Sequence, residues 1–189
     1  MTALRKTLGP KQANMSFAEK CPVVGASVGQ HFRHSTDHME RVANNIEAEK
    51  EENDVDNLSN EIHYDIRVRG GSDEKDMDAA EERVRRVMKL LEEDIDALIS
   101  PSHTNDNKKN NNTVLACFML SGDPTEDEFM LSSTVERELG FAVHHAIHHL
   151  AMVKIITMHT LKLLPSDALP EGFGKAPSTI VYDNSQLQQ

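Results

Sequence analysis

Ten histidines carry most of the reactive chemistry in this 189-residue chain, and seven of them fall into two short clusters. The clusters are His31, His34 and His38, and then His144, His145, His148 and His149. At about 100° per helical residue, the first cluster lies within roughly 60°, and the last three members of the second within roughly 100°. Each set would therefore occupy one face of a helix.

Histidines four residues apart on a helix suit metal binding. Two such ring nitrogens can reach one ion at about 2.0–2.1 Å, and a third from a facing helix completes an open three-ligand site. Buried imidazoles without a metal or a hydrogen-bond partner would be costly. The spacing occurs in three pairs, namely His145 with His149, His144 with His148, and His34 with His38. The clusters therefore predict a metal site, and spacing alone does not choose its ligands.

The remaining histidines are isolated, and each is interpreted as an ordinary surface or hydrogen-bonded residue. They are His63, His103 and His159. The stripe formed by His31, His34 and His38 lies beside the apolar stripe of its helix. At least one of these histidines is therefore also interpreted as a residue that faces water.

Composition and charge exclude several classes of partner. Aromatic residues make up 4% of the chain and Trp is absent, a mix that favours packed helices. The formal net charge of -11 repels nucleic-acid backbones and anionic membranes, and no apolar run approaches the ~18 residues needed to span a bilayer. We expect one domain with no nucleic-acid or membrane partner.

Cys21 and Cys117 lie far apart and belong to no CxxC motif, so they predict a reducing, cytoplasmic location. Residues 1–18 contain three basic residues and no acidic one. This segment is read either as a frayed terminus or as a short organellar transit segment.

Capping and periodicity predict three main helices. Ser27 and Gln30 have the spacing of a capping box, which begins a helix near Ser27 that ends near Lys50. A second helix follows an Asp76 or Asp78 cap and stops at Ser100-Pro101. The longest helix should run from about 133 to 164, apolar nearly all round and buried.

Three other segments are predicted from composition. Residues 62–69 read as an ordered loop or a short extended piece. The polar tract at 102–112 predicts a disordered insertion. Residues 113–120 and 129–132 flank Gly122-Asp123-Pro124 and predict a short β-hairpin.

Two histidine motifs carry a family resemblance. GASVGQHFRHSTDH at 25–38, followed by RELGFAVHHAIHHLA at 137–151, resembles the DinB-like superfamily of metal-binding four-helix bundles. A narrower branch of that superfamily is similar in its YDxRxRG and FGxAPST segments, matched here at 64–70 and 173–179. The resemblance implies an all-α, antiparallel helical bundle at 25–182, preceded by an irregular segment at 1–24 and followed by a tail at 183–189.

The resemblance also implies a ligand set. DinB-like proteins take one histidine from an early helix and an i, i+4 pair from a late one, which implies His34, His145 and His149 as metal ligands. The other cluster members, His31, His38, His144 and His148, are left to orient those ligands or to bind substrate. The weak first segment makes a homodimer one expectation.

Further candidates surround these histidines in the sequence. Glu138 precedes His145 by two helical turns, and we consider it as a general base, a fourth ligand or an ion-pair partner of Arg137. Tyr64, Arg67 and Arg69 share a loop that could present donors to an anionic substrate or could simply be solvated.

Two functions follow from these observations. The first is an enzyme whose three-histidine ion activates water or a thiol, giving a thiol-linked transferase or a hydrolase that acts on a small molecule. The second is a non-catalytic bundle that binds a metal or a small molecule. Zinc is the expected ion, with nickel or iron as alternatives.

Overall fold

A computed structural model describes residues 1–51, 60–66, 68–99, 113–123 and 125–187. The helices are α1 Thr2–Leu8, α2 Pro10–Ala18, α3 Val28–Glu51, α4 Met77–Ile99, α5 Val135–Lys154 and α6 Pro177–Gln186. The strands are β1 Glu61–His63, β2 Thr113–Phe118 and β3 Phe129–Thr134. The expected insertion at 102–112, together with His103 and Arg67, lies outside the described residues.

The prediction of an all-α antiparallel bundle is wrong, because the strands form a three-stranded mixed sheet in the order β1-β2-β3. β2 and β3 pair antiparallel, where a hairpin was expected, and β1 pairs with β2 in parallel. β1 has only three residues and polar residues at both ends, so its sequence is too short to show the alternation typical of a strand. Only its pairing with a distant strand identifies it.

The chain divides into two compact units. The first unit is Met1–Thr36, Arg69–Arg83 and Val143–Gln189. Its buried core includes Leu4, Phe17, Val28, Met77 and Ile156.

The second unit is Asp37–Val68 and Val84–Ala142. Its core is built from one face of the sheet and from helical residues, and it includes Val42, Ile62, Tyr64, Val114 and Ala142. Ile62 and Tyr64 alternate with Glu61 and His63 along the chain, so the two pairs lie on opposite faces.

Two predicted helix starts are confirmed by side-chain caps. The Gln30 backbone N–H donates to Ser27 Oγ at 3.1 Å, and the Ser27 backbone N–H donates to Gln30 Oε1 at 3.0 Å. Asp76 Oδ1 accepts the N–H groups of Asp78 and Ala79 at 2.8 and 3.0 Å. These bonds satisfy N–H groups that a helix terminus leaves without partners.

The segment 1–24, which we expected to be irregular, contains α1 and α2. The two helices place Leu4, Ala13 and Phe17 in the core of the first unit. Arg5 donates to Glu81 and Asp78 at 2.7 Å each. Packing against distant residues therefore stabilises helices that are too short to be stable alone.

The late helix differs from its prediction in two ways. α5 is continued by a π-helical turn at Ile155–Thr160, and residues such as Val143 and Ile155 are exposed rather than buried. The stretch Val135–Thr160 is also long and apolar enough to cross a membrane. We expected no such segment. Length and composition alone are weak evidence for one helix, so this finding does not assign a membrane.

Candidate metal centre

Three histidines of the first unit converge on one point. His34 comes from the first turns of α3, which the Ser27 cap begins, and His145 and His149 come from successive turns of α5. His34 Nε2 lies 3.0 Å from His145 Nε2, which lies 3.0 Å from His149 Nε2. All three ligand atoms lie within 4.8 Å of one another.

The contacts among these nitrogens fit a cation better than hydrogen bonds. A neutral imidazole nitrogen carries either one proton or one lone pair. His145 Nε2 faces two other Nε2 atoms, so a single proton or lone pair satisfies this arrangement poorly. A metal ion can draw on all three lone pairs at once. The group could therefore bind a metal ion.

His31 lies behind this group and contacts it through one ligand. Its Nδ1 lies 2.7 Å from His149 Nδ1, so one of the two nitrogens donates to the other. If His149 offers its Nε2 lone pair to an ion, its Nδ1 carries the proton and donates to His31. The proton of His31 then sits on Nε2, which is buried and has no hydrogen-bond partner among the described residues. That nitrogen needs an acceptor that the described residues do not supply.

Burial favours the neutral form of two rings, His149 and His31. Burial, followed by the charges of neighbouring histidines, lowers the pKa of His149 to about 3. Burial and then the nearby His148 lower the pKa of His31. A histidine must be neutral to bind a metal ion, so the environment favours the ligand form.

The other clustered histidines lie elsewhere. His144 and His148 are exposed, and the His148 ring lies 5.2 Å from that of His149. His38 belongs to the second unit, where its ring stacks on Tyr64 at 4.8 Å. Among the described residues, none of His144, His148 and His38 belongs to a group of three or more side chains that could hold a metal ion.

Glu138 lies in a buried network of the second unit. It is fully buried and accepts hydrogen bonds from Tyr64 Oη at 2.8 Å, Ser133 Oγ at 2.5 Å and Arg137 at 2.6 Å. The Arg137 contact is the ion pair that we considered beside the catalytic role. Glu138 is not in the group formed by His34, His145 and His149.

Tyr64 is also buried rather than presented to a substrate. Its ring lies between His38 and Phe118, with centroid distances of 4.8 and 5.0 Å. Burial, followed by its hydrogen bond to Glu138, raises the pKa of the Tyr64 phenol. Arg69 is exposed. Tyr64 belongs to the second unit and Arg69 to the first.

A buried ion pair that the sequence analysis missed supports the start of α3. Arg33, which lies between His31 and His34, contacts Glu74 at 2.6 Å, and both side chains are at least 90% buried. Glu74 Oε1 also accepts the Gly70 N–H at 2.9 Å. Glu74 ends a short 3-10 helix, Ser72–Glu74, that is distant in sequence from α3, so no local pattern marks it as a partner of Arg33.

The FGxAPST segment packs against α5. Gly174 has a φ of 71°, and a Cβ at this position would lie 2.7 Å from the Ala151 backbone. Only glycine fits both the conformation and the close approach. Ala151 follows the ligand pair in α5, so this contact supports the helix that carries His145 and His149.

Comparisons with known proteins do not assign a family. No family model matches the chain. No solved structure matches it either. A protein named FK506-binding protein 5, from Rhizopus delemar, is 30% identical over 125 residues, which is 66% of this chain. The chain spans 28% of the length of that relative.

Proposed function

We propose that this chain is a divalent-metal-binding protein of the DinB-like kind, with His34, His145 and His149 as the ligands. One observation carries the proposal, namely the convergence of three Nε2 atoms from α3 and α5. Zinc is the ion that we propose, because three imidazoles with one open position suit it. Nickel and iron bind the same donors and are alternative results of the metal analysis.

The proposed activity is metal-dependent, thiol-linked transfer or hydrolysis on a small molecule. When bound, the ion would supply a Lewis acid that lowers the pKa of water or a thiol. His31 would bind part of the substrate, because its buried Nε2 has no partner among the described residues and would donate to an acceptor atom. This orphaned donor favours an open, ligand-binding site over a site whose ion adds only stability.

A test of the proposal compares metal content in three proteins. The variant His34→Ala, His145→Ala, His149→Ala should lose about one equivalent of metal relative to the parent, as expected for one three-histidine site. The control is His144→Ala, because that exposed residue lies on the same helix. It should retain the parent's metal content.

Circular dichroism establishes whether each variant is folded, and His145→Gln offers a milder change if the triple variant unfolds. Equal metal content in the parent and a folded triple variant would overturn the proposal. Metal loss would justify a screen of thiol substrates in the parent. Turnover that disappears in His145→Gln would assign an enzyme, whereas metal binding without turnover would assign the non-catalytic alternative.

A further inference from the structure

A second group of metal-ligand side chains lies in the second unit, built on the sheet. His63, Cys117 and Glu128 each offer one ligand atom, and these atoms all lie within 4.8 Å of one another. His63 ends β1, Cys117 lies in β2, and Glu128 directly precedes β3. Because His63 and Cys117 are direct partners in the parallel register, their side chains lie on the same face of the sheet.

We propose that His63, Cys117 and Glu128 form a second metal site, of the zinc class. Imidazole, thiolate and carboxylate are the three donor types that zinc accepts in proteins. The site would join β1, β2 and the segment before β3, and its fourth position would take water. It shares no residue with the group on α3 and α5, so each site can be present without the other.

The carboxylate of Glu61 supports this assignment by orienting His63. Glu61 Oε2 lies 3.1 Å from His63 Nε2, and the opposite nitrogen, Nδ1, contacts Glu128 Oε2. Metal-bound histidines usually donate their other N–H to a carboxylate, which sets the tautomer and the ring orientation. Glu61 therefore directs the Nδ1 lone pair toward Glu128 and Cys117.

Glu128 provides an independent observation. Its side chain is 15% exposed, and its Oε1 atom is buried with no hydrogen-bond partner among the described residues. A buried carboxylate oxygen without a donor is unfavourable, and a cation in the group would satisfy it. His63 is 34% exposed, so solvent and ions reach the group from the side of its ring.

Cys117 is fully buried beside two carboxylates. Burial, followed by the charges of Glu128 and Glu61, raises the pKa of its thiol. On metal binding, the thiol proton would leave to solvent and the sulfur would bond to the ion. The alternative is a protonated His63 that bridges Glu61 and Glu128 beside an inert thiol.

Cobalt(II) distinguishes these two arrangements in the full chain. A cobalt–sulfur bond gives a near-ultraviolet charge-transfer absorption, whereas three imidazoles give none. We therefore expect this band when cobalt is added to the parent and also to the variant that lacks His34, His145 and His149. Cys117→Ser should abolish the band, and Cys21→Ser should retain it, since Cys21 is the other buried free cysteine.

Glu61→Gln tests the positioning role separately. It should keep the shape of the band, because the three ligands remain, and weaken zinc affinity by about 10- to 100-fold, as measured by competition with a chromophoric chelator. If Cys117→Ser does not fold, His63→Gln should remove the band in its place.

The site is overturned if no charge-transfer band forms in the folded parent at saturating cobalt. A band that persists in folded Cys117→Ser would also overturn it, because the sulfur would then be Cys21. Neither result bears on the proposed function, since the histidine group is measured separately by the metal that the triple histidine variant loses.

Discussion

The histidine group of the first unit and the His63–Cys117–Glu128 group of the second are built in different ways. The first takes its ligand pair from successive turns of α5, where two residues four apart lie on one face. The second takes its ligands from separate segments that only strand pairing joins. Helical ligands are thus set by local periodicity, and sheet ligands by register.

The donors differ as well. The first group has three imidazoles and an outer histidine, His31, whereas the second has one imidazole, one thiol and one carboxylate, with Glu61 as its outer carboxylate. Burial and neighbouring histidines lower the pKa of His149, whereas the hydrogen bond that His63 donates to Glu128 is the main cause that raises the pKa of His63. The neutral ligand form is therefore favoured for His149, whereas His63 and Cys117 must release protons to bind an ion.

The largest expected effect is on the support of the first group. Glu74→Ala would remove a buried carboxylate that contacts Arg33, and breaking a buried ion pair costs about 3–5 kcal/mol. Urea unfolding should show this loss, and metal binding by the histidine group should weaken because Arg33 lies between His31 and His34. Lys175→Ala is the control, since its exposed ion pair with Asp183 should contribute about 0–1 kcal/mol. Equal losses of unfolding free energy in both variants would show that the buried ion pair contributes no more to stability than the exposed one.

The next effect separates the two groups by metal removal. An ion present at about 100 times its dissociation constant stabilises the folded chain by about 2.7 kcal/mol. Removing zinc with a chelator should therefore lower the melting temperature of the parent. The shift should shrink in the triple histidine variant and shrink separately in Cys117→Ser. If one variant abolishes the whole shift, the two groups do not bind independently.

A smaller effect is expected at Tyr64, which follows His63 in the chain. Tyr64→Phe keeps the ring between His38 and Phe118 but removes a donor to buried Glu138, at a cost of about 1–3 kcal/mol. Tyr182→Phe is the matched control, because that tyrosine is exposed. Thermal melts should separate the two variants, and a neutral result for Tyr64→Phe would show that Glu138 is satisfied without it.

The smallest effect is expected at the start of α3. Ser27→Ala removes the hydroxyl that accepts the Gln30 N–H, which should cost about 0.5–2 kcal/mol. Metal affinity at the histidine group should fall slightly, because His31 and His34 lie in the first turns of that helix. The cobalt–sulfur band should not change. A loss of that band would instead show that metal binding by the second group depends on the start of α3.

Much of the candidate site could be predicted because its determinants are local. The spacing of His145 and His149 limits their rings to one helical face, and the Ser27–Gln30 and Asp76 caps follow from residues three or fewer positions apart. Local spacing does not decide which of His34 and His38 is the ligand. His38 lies on a similar face, yet it stacks on Tyr64, and only packing separates the two.

The sheet and its chemistry could not be predicted in the same way. His63 was interpreted as an isolated histidine and Cys117 as an unremarkable thiol, because neither has a ligand neighbour at helical spacing. Glu138 was considered for catalysis, yet the structure surrounds it with three hydrogen-bond donors. A side chain's partners across the fold are invisible to any window of sequence.

The sequence by itself determined the helical histidine faces, the helix caps and the acidic charge, because each depends on residue type and short-range geometry. Only the tertiary structure decided that the chain contains a mixed sheet, that Arg33 and Glu74 form a buried pair, and that His63 meets Cys117 and Glu128. These features depend on contacts between segments far apart in the chain, and such contacts form when burial and strand pairing offset the entropy of bringing those segments together.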